Sequence, residues 1–204
     1  MARRAYRLGR RAESAAATRQ RLVEATFALH SERGVLATSM KDIAARADVS
    51  VGTVYHHFPT YDDAIQACGQ HVLAVTRPPT PAIFDDCRSR AERMARLAEA
   101  LFAFYERFPS LEGARAERAR VPLLDGWIRR WEDGVAALAR LALGEADIGR
   151  QRMVIALTDI AVWRTLTAGG LSTEDAAAEI ACLIHGWLKR PAGRATTNPP
   201  SKRG

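Results

Sequence analysis

Apolar residues recur at intervals of three and four along almost the whole chain, and no stretch alternates apolar with polar residues as a half-buried strand does. Two long examples run over 82–108 and 123–143 and end at Pro109 and Gly144. Apolar residues make up 48% of the 204 residues, which is enough to build a core. The sequence therefore predicts an all-α fold of about nine helices.

The first sixty residues are divided into three shorter helical segments. The first is expected from about Ser14 or Thr18 to Arg33, where Gly34 ends it. The second begins at the capping box Ser39-Met40-Lys41-Asp42, and the turn Asp48-Val49-Ser50 leads to the third over 51–57. Two short helices joined by such a turn form a helix-turn-helix. Ile43, Ala44, Val49, Val54 and Phe58 are its expected inner residues.

The third segment then presents an unusual outer face, formed by Gly52, Thr53, Tyr55, His56 and His57. Small and hydroxylated residues allow close approach to a groove, and imidazoles donate to phosphates and base edges. Ser39 and Lys41 stand at the start of the second helix, whose amides suit a phosphate. Tyr55 could instead belong partly to the core. The adjacent histidines are about 100° apart on a helix, so they do not form a metal-chelating pair.

Residues 18–65 resemble the DNA-binding domain of the TetR family of transcriptional regulators. The matching elements are Arg33-Gly34, Thr38-Ser39, Ile43-Ala44, Val49-Ser50 and the run Gly52-Thr53-Val54-Tyr55-x-His57-Phe58. The resemblance implies DNA contacts by Thr53, Tyr55, His56 and His57, with Ser39 and Lys41 assisting. It also implies a homodimer on a palindromic operator and a C-terminal helical domain for ligand binding and dimerisation.

One position departs from that family. Many members have a lysine near the start of the fourth helix, where this chain has Tyr61. A phenol can still bond a phosphate, so we include Tyr61 among the expected DNA contacts. Five arginines in residues 1–11 could supply the missing charge along the neighbouring groove or backbone.

The net charge of +7 is concentrated at the two ends. Residues 1–11 and 189–204 each carry five basic residues and no acid, so the rest is about −3. We expect a basic disordered arm over 1–13, a helix-turn-helix domain over 14–60, a helical domain over 61–190 and a disordered tail over 191–204. Basic ends favour a polyanion such as nucleic acid, although the C-terminal tail could serve solubility alone.

The helical domain is rich in aromatic residues that could line an apolar pocket. The expected pocket residues are Phe102, Tyr105, Trp127, Trp131 and Trp163. Ordinary core packing is the alternative for each of them. Asp159, in an otherwise apolar stretch, is expected to be a polar contact inside a cavity or at a dimer seam.

The last two helices, expected over 147–168 and 173–189, are apolar nearly all round. Two such helices from each subunit would form a four-helix bundle. An isologous dimer of this kind supplies the two-fold symmetry that a palindrome requires. We expect Ile180 and Ile184 to lie in that interface.

Other classes of protein have little support in the sequence. No long uncharged apolar run and no signal-peptide pattern is present, so we expect a cytoplasmic protein without membrane contact. Cys68, Cys87 and Cys182 are widely spaced and are expected to be small core residues, with a redox role for Cys87 or Cys182 as a minor alternative. We predict no metal site and no cofactor.

The sequence thus predicts a ligand-responsive transcriptional regulator, with repression as the favoured mode and release from the operator by a small apolar or aromatic effector. A DNA-binding protein with no effector is the first alternative. A helical enzyme is the second, because Phe84-Asp85-Asp86-Cys87-Arg88 has the form of an aspartate-rich motif. Its second metal-binding motif is missing, and no hydrolase or nucleotide-binding signature occurs, so we expect no catalysis.

Overall fold

The computed structural model describes residues 2–144 and 147–190, with the backbone alone for residues 2–12. These residues form α-helices, two short 3₁₀ turns over Pro81–Phe84 and Arg118–Arg120, and no β-strand. The helices are α1 (Ala2–Arg33), α2 (Met40–Ala47), α3 (Val51–His57), α4 (Tyr61–Thr76), α5 (Arg90–Arg107), α6 (Leu111–Glu117), α7 (Pro122–Leu143), α8 (Ile148–Leu157), α9 (Ile160–Ala168) and α10 (Thr173–Leu188). The all-α prediction is confirmed.

Side-chain caps fix where several helices begin. The hydroxyl of Ser39 accepts from the amide of Asp42, and the carboxylate of Asp42 accepts from the amide of Ser39, so the predicted capping box is present. Thr60 and Asp63 cap α4 in the same way. At the end of α2, Asp48 adopts a left-handed conformation with φ of 53°, which turns the chain towards α3.

The first three helices and part of α4 enclose a small core. Leu22 of α1, Ile43 of α2 and Val54 of α3 are completely buried in it. Ala44 is buried where α2 approaches its neighbours, and Phe58 closes the end of α3. These contacts hold α3 at a fixed angle, as the sequence predicts for a helix-turn-helix.

A second and larger core fills the C-terminal domain. There α5 packs along α10 and also against α7 and α9. The residues between them include Leu97, Leu101 and Ile184, all fully buried. Because Ala64 and Ala67 of α4 belong to the first core and Ile65 to the second, α4 joins the two domains.

Three expectations about element bounds are wrong. The helix expected over 82–108 begins only at Arg90, after the 3₁₀ turn over Pro81–Phe84. The backbone of α1 begins at Ala2, so a disordered arm over 1–13 is not observed; the segment is rich in alanine and arginine, which favour helices. The helix expected over 147–168 is interrupted at Thr158-Asp159, giving α8 and α9. Thr158 bonds back to the carbonyl of Val154, and Asp159 caps α9, so their side chains compete with the helical bonding pattern. The tail over 191–204 lies outside the described residues.

Candidate DNA interface and inner cavity

The sequence of α3 divides the helix into a buried side and an exposed side. Val54 is completely buried and Phe58 nearly so, which turns the opposite face of the helix outward. Ser50 caps α3 by accepting from the amide of Thr53. The result is a short, rigidly held helix with polar side chains on its outer face.

The residues predicted on that face do share it, with differences in exposure. Gly52, Tyr55 and His56 are exposed, and Tyr55 retains 51% of its surface, which argues against a core role. Thr53 is partly buried, and its hydroxyl lies 2.9 Å from that of Ser50. His57 is partly buried as well. This face offers one phenol and two imidazoles to a groove.

Arg19 of α1 lies beside the same surface, although it was not among the predicted contacts. Its guanidinium carbon is 5.2 Å from the centre of the Phe58 ring. The pKa of His57 is held below its usual value, first by burial and then by the nearby His56 and Arg19. Arg19 therefore adds a positive charge next to α3. The sequence could have indicated this contact. Arg19 lies three positions before the buried Leu22, so both residues are on the same side of α1.

At the start of α2 the predicted contacts are only partly available. Lys41 is exposed and free to reach a phosphate. Ser39 is exposed too, but its hydroxyl and amide are both bonded to Asp42. The carboxylate of Asp42 is in turn paired with Arg33 at 2.9 Å, and the pKa of Asp42 is lowered by its bonds to Ser39 and Arg33. Some of the backbone amides that were expected to bind a phosphate therefore already donate hydrogen bonds within the protein.

The hydroxyl of Tyr61, a predicted DNA contact, is already bonded within the protein. Its hydroxyl donates to the carbonyl of Val35 at 2.6 Å and lies 2.9 Å from Nε2 of His30. Its ring packs against both cores. Because the single hydroxyl proton goes to Val35, the His30 nitrogen must be the donor to the Tyr61 oxygen. Tyr61 thus fastens α4 to the end of α1.

A cavity of about 120 Å³ lies directly behind this contact, between the two domains. Its wall combines the end of α1, one side of α4 from Ile65 to Thr76, and parts of α5, α6 and α7. The aromatic lining residues are Phe27, His30, Phe104, Phe108, Trp127 and Trp131. The rings of Phe104 and Trp131 are stacked, with their centres 4.4 Å apart.

The predicted pocket residues are divided by this geometry. Trp127 and Trp131 line the cavity, whereas Phe102, Tyr105 and Trp163 do not. Phe102 and Tyr105 are buried in the core of the C-terminal domain, and Tyr105 donates to the carbonyl of Thr158. The indole of Trp163 bonds to Thr173. The periodicity of the sequence identified the aromatic faces of α5 and α7. It did not indicate which helix each aromatic side chain packs against.

The polar groups of the cavity wall are uncharged or already bonded. Burial lowers the pKa of His30 to about 4, so its imidazole is neutral near pH 7. Burial raises the pKa of the Cys68 thiol to about 12. The carboxylate of Glu117 accepts from the amides of Val35 at 2.7 Å and Leu36 at 3.2 Å. Among the described residues that line the cavity, none offers a free charge to a ligand.

Asp159 does not line the cavity between the domains. It caps α9 and receives two bonds from Arg115 of α6, at 3.1 and 2.8 Å. Arg164 of α9 reaches Glu112 of α6. These two ion pairs hold α6 against α9, while Glu117 at the end of α6 holds the start of the helix-turn-helix.

An apolar surface remains on α8 and α10. Leu183 is 59% exposed and Met153 is 41% exposed, and Cys182 lies beside them on α10. Ile180 and Ile184, which were expected in a dimer interface, are instead buried within the chain. They face α5, so the side of α10 available to a partner is the one that carries Leu183.

A metal centre would need several cysteine, histidine or acidic side chains close together. Among the described residues, no three histidine, cysteine or acidic side chains are grouped to hold a metal ion. Cys68 is buried as expected, but Cys87 is partly exposed and Cys182 is exposed. In the described part of the chain, no helix is long and apolar enough to cross a membrane.

Comparison with known proteins finds a match to a known family in the amino-terminal part of the chain. Residues 22–68 match the family model described as "Bacterial regulatory proteins, tetR family". The chain is 50% identical over 42 residues to the HTH-type transcriptional repressor KstR of Rhodococcus jostii, covering 21% of this chain and 20% of that protein. It is 34% identical over 134 residues to the HTH-type transcriptional repressor Rv3405c of Mycobacterium tuberculosis, covering 61% and 65%.

These curated relatives are thus matched over a fifth to just under two thirds of their own length. Among solved structures, the multidrug binding protein EbrR complexed with imidazole superimposes with a TM-score of 0.57 at 25% identity. The alignment covers 81% of this chain and 88% of that one. The likeness therefore extends through the C-terminal helices as well as the helix-turn-helix.

Proposed function

We propose that the protein regulates transcription by binding an operator through α3, because residues 22–68 match the model of the tetR family of bacterial regulatory proteins. The observation that carries the proposal is the exposed face of α3, where Tyr55 and His56 project from a helix anchored by Val54 and Phe58. The names of the two curated relatives support repression as the mode of regulation.

The DNA contacts in this proposal come from two groups of residues. Tyr55, His56 and Thr53 would read base edges in the major groove, and Lys41 and Arg19 would bind the flanking phosphates. The experiment is selection of bound fragments from a random duplex pool. Enrichment of a palindrome with half-sites about one helical turn apart supports the proposal. Recovery of unrelated sequences after several rounds would refute specific recognition.

A homodimer completes this proposal, because a palindrome requires two copies of α3. The exposed apolar side of α8 and α10, with Met153 and Leu183, supports that assembly. The partner of this surface would be the same surface of a second copy, related by a two-fold axis.

The cavity between the domains supports control by a small effector. Its wall includes Phe27 and His30 from α1 and Gly69 from α4, so a ligand there would touch the DNA-binding part directly. A ligand that fits only one arrangement of α1 and α4 would change the spacing of the two recognition helices. By linkage, a tenfold loss of operator affinity on ligand binding implies a tenfold loss of ligand affinity on operator binding.

A DNA-binding protein without an effector is the second candidate. It is favoured by the small volume of the cavity, which is close to that of a single aromatic ring. Operator affinity that stays constant across a broad set of small apolar compounds would support it. Lower affinity in the presence of any one of them would support the effector instead.

A further inference from the structure

The exposed side of α10 carries two opposite charges that are not paired within the chain. Glu179 and Arg190 are both exposed, and both line the groove between α8 and α10. Among the described residues, neither makes an ion pair. They are 11 positions apart in the sequence, which is about 16 Å along a helix, so they cannot pair with each other. A molecule that covers this groove would therefore meet one charge of each sign.

Between these charges, large and small residues alternate on the same side of the helix. Leu183 is 59% exposed, and Gly186 lies one turn further along α10. Nothing outside its own helix lies within 4 Å of a Cβ built on Gly186. Cys182 and Trp187 flank these two residues in the groove. Gly186 therefore leaves open space where another helix could approach α10 closely.

The residues of this stripe are arranged symmetrically about the midpoint between positions 184 and 185. If a second α10 lies antiparallel to the first, with a two-fold axis through this point, the two members of each symmetric pair face each other across the axis. In the outer pair the charges are then opposite, and in each inner pair a large residue faces a small one. The pairs are Glu179 with Arg190, Cys182 with Trp187, and Leu183 with Gly186.

A parallel arrangement of the two helices would not use these features. Each residue would then face its own copy, so the two Glu179 carboxylates would repel each other, as would the two Arg190 guanidinium groups. Gly186 would face Gly186 of the partner subunit, which leaves a gap without van der Waals contact. The pattern therefore favours a second copy of this chain in the antiparallel orientation.

From these observations we propose that α10 pairs with α10 of a second copy in an antiparallel register, in which Glu179 binds the partner's Arg190 and Leu183 packs on the partner's Gly186. This inference rests on the homodimer proposed above and specifies how its two copies are aligned. Because the two-fold axis repeats every contact, each dimer contains two of these ion pairs. Such pairs at the edge of an interface fix the register of the partners more than they add affinity.

Charge reversal in the full-length protein without DNA tests the ion pairs. Glu179→Arg and Arg190→Glu each turn both intermolecular pairs into like-charge pairs, so each should raise the dissociation constant of the dimer roughly tenfold at low ionic strength. The double variant restores opposite charges in exchanged positions and should return the constant to within about threefold of the wild type. Lys189→Glu is the control, since Lys189 is exposed beside Arg190 but does not line the groove. Sedimentation equilibrium measures all five proteins.

The packing contact has a matched pair of variants of its own. Gly186→Leu fills the space that the partner's Leu183 would occupy, so it should also raise the dissociation constant about tenfold. Gly134→Leu adds the same side chain at an exposed position of α7, where nothing outside its own helix lies within 4 Å, and should have no effect. Circular dichroism shows whether each variant is folded.

The register is wrong if the double variant dissociates as readily as the single variants, if both single variants associate like the wild type, or if Gly186→Leu does so. If one charge variant does not fold, the other charge variant and Gly186→Leu decide. A monomeric wild-type protein would contradict the register together with the proposed homodimer. A wild-type dimer that selects a palindrome but ignores these substitutions would contradict the register alone, so the two failures are distinguishable.

Discussion

The carboxylate of Glu117 accepts a 2.7 Å hydrogen bond from the backbone amide of Val35, and this contact ties α6 to the segment that follows α1. Val35 is only 4% exposed, so its amide has little access to water if the carboxylate is removed. The contact joins sequence positions that are 82 residues apart. It makes the C-terminal domain a direct support of the helix-turn-helix.

Removing this carboxylate should therefore destabilise the fold. We expect Glu117→Ala to lower the free energy of unfolding by about 1–2 kcal/mol, because the Val35 amide loses its acceptor. Glu117→Gln retains an acceptor oxygen and should cost less than half as much. Urea denaturation measures both. Glu99→Ala is the control, since Glu99 makes a 3.8 Å pair with Arg96 at the surface and should change stability by less than about 0.5 kcal/mol. Equal values for Glu117→Ala and the control would show that the contact is unimportant.

Stability should also depend on pH through His30. Burial lowers the folded-state pKa of His30 from 6.5 to about 4, so the unfolded chain binds more protons between those values. Stability is then greatest above pH 6.5 and falls as the pH decreases towards 4. Between pH 7 and 5 the loss from His30 should be on the order of 2 kcal/mol. The measurement is urea denaturation at several pH values, with His30→Gln showing a smaller loss over this range. Parallel curves for the two proteins would contradict the assignment.

The dimer should depend on the exposed side of α10. Leu183→Arg places a charge on the apolar surface without entering the core, so we expect folded monomers that bind the full operator poorly. Val75→Arg is a matched control, because Val75 is also about half exposed, at 48%, but lies on α4. Light scattering at micromolar concentration measures both variants. A dimer that persists in Leu183→Arg, or a monomeric wild-type protein, would exclude this interface.

The arginines of residues 1–11 should contribute affinity without sequence selectivity. Replacing all five with glutamine removes five positive charges from the start of α1. The slope of log affinity against log salt should become shallower by about 0.9 for each DNA phosphate that the variant no longer binds. Arg140→Gln, which removes an exposed positive charge from α7, is the control and should leave the slope unchanged. If the glutamine variant of residues 1–11 shows the wild-type slope, the arginines do not contact DNA.

Features set by residues close together in the sequence were predicted well, whereas features set by contacts between distant segments were not. Local spacing sets the two capping boxes, at Ser39 and Thr60, and the burial of Val54. All three features could be predicted from the sequence. Phe102 and Phe104 are two positions apart on α5, so they point in different directions, and only Phe104 reaches the cavity. Periodicity cannot decide between them, because the answer depends on which helices lie opposite.

Contacts between segments that are distant in the sequence could not be predicted either. Tyr61 has the chemistry of a phosphate ligand, but its hydroxyl is drawn inward by the carbonyl of Val35. Nothing in the spacing of α1 and α4 indicates that this carbonyl would be there. Glu117 similarly had no local feature that marked it as an acceptor for the amides of Val35 and Leu36.

The most direct test of the central claim is the affinity of α3 variants for the selected palindrome, measured by fluorescence anisotropy at fixed salt. Tyr55→Ala and His56→Ala should each weaken binding by about 1–3 kcal/mol, because both side chains are exposed on the face that would enter the groove. Arg140→Ala, which removes an exposed charge from α7, should bind like the wild type. Wild-type affinity in both α3 variants, with the fold and dimer intact, would contradict the claim that α3 reads the operator.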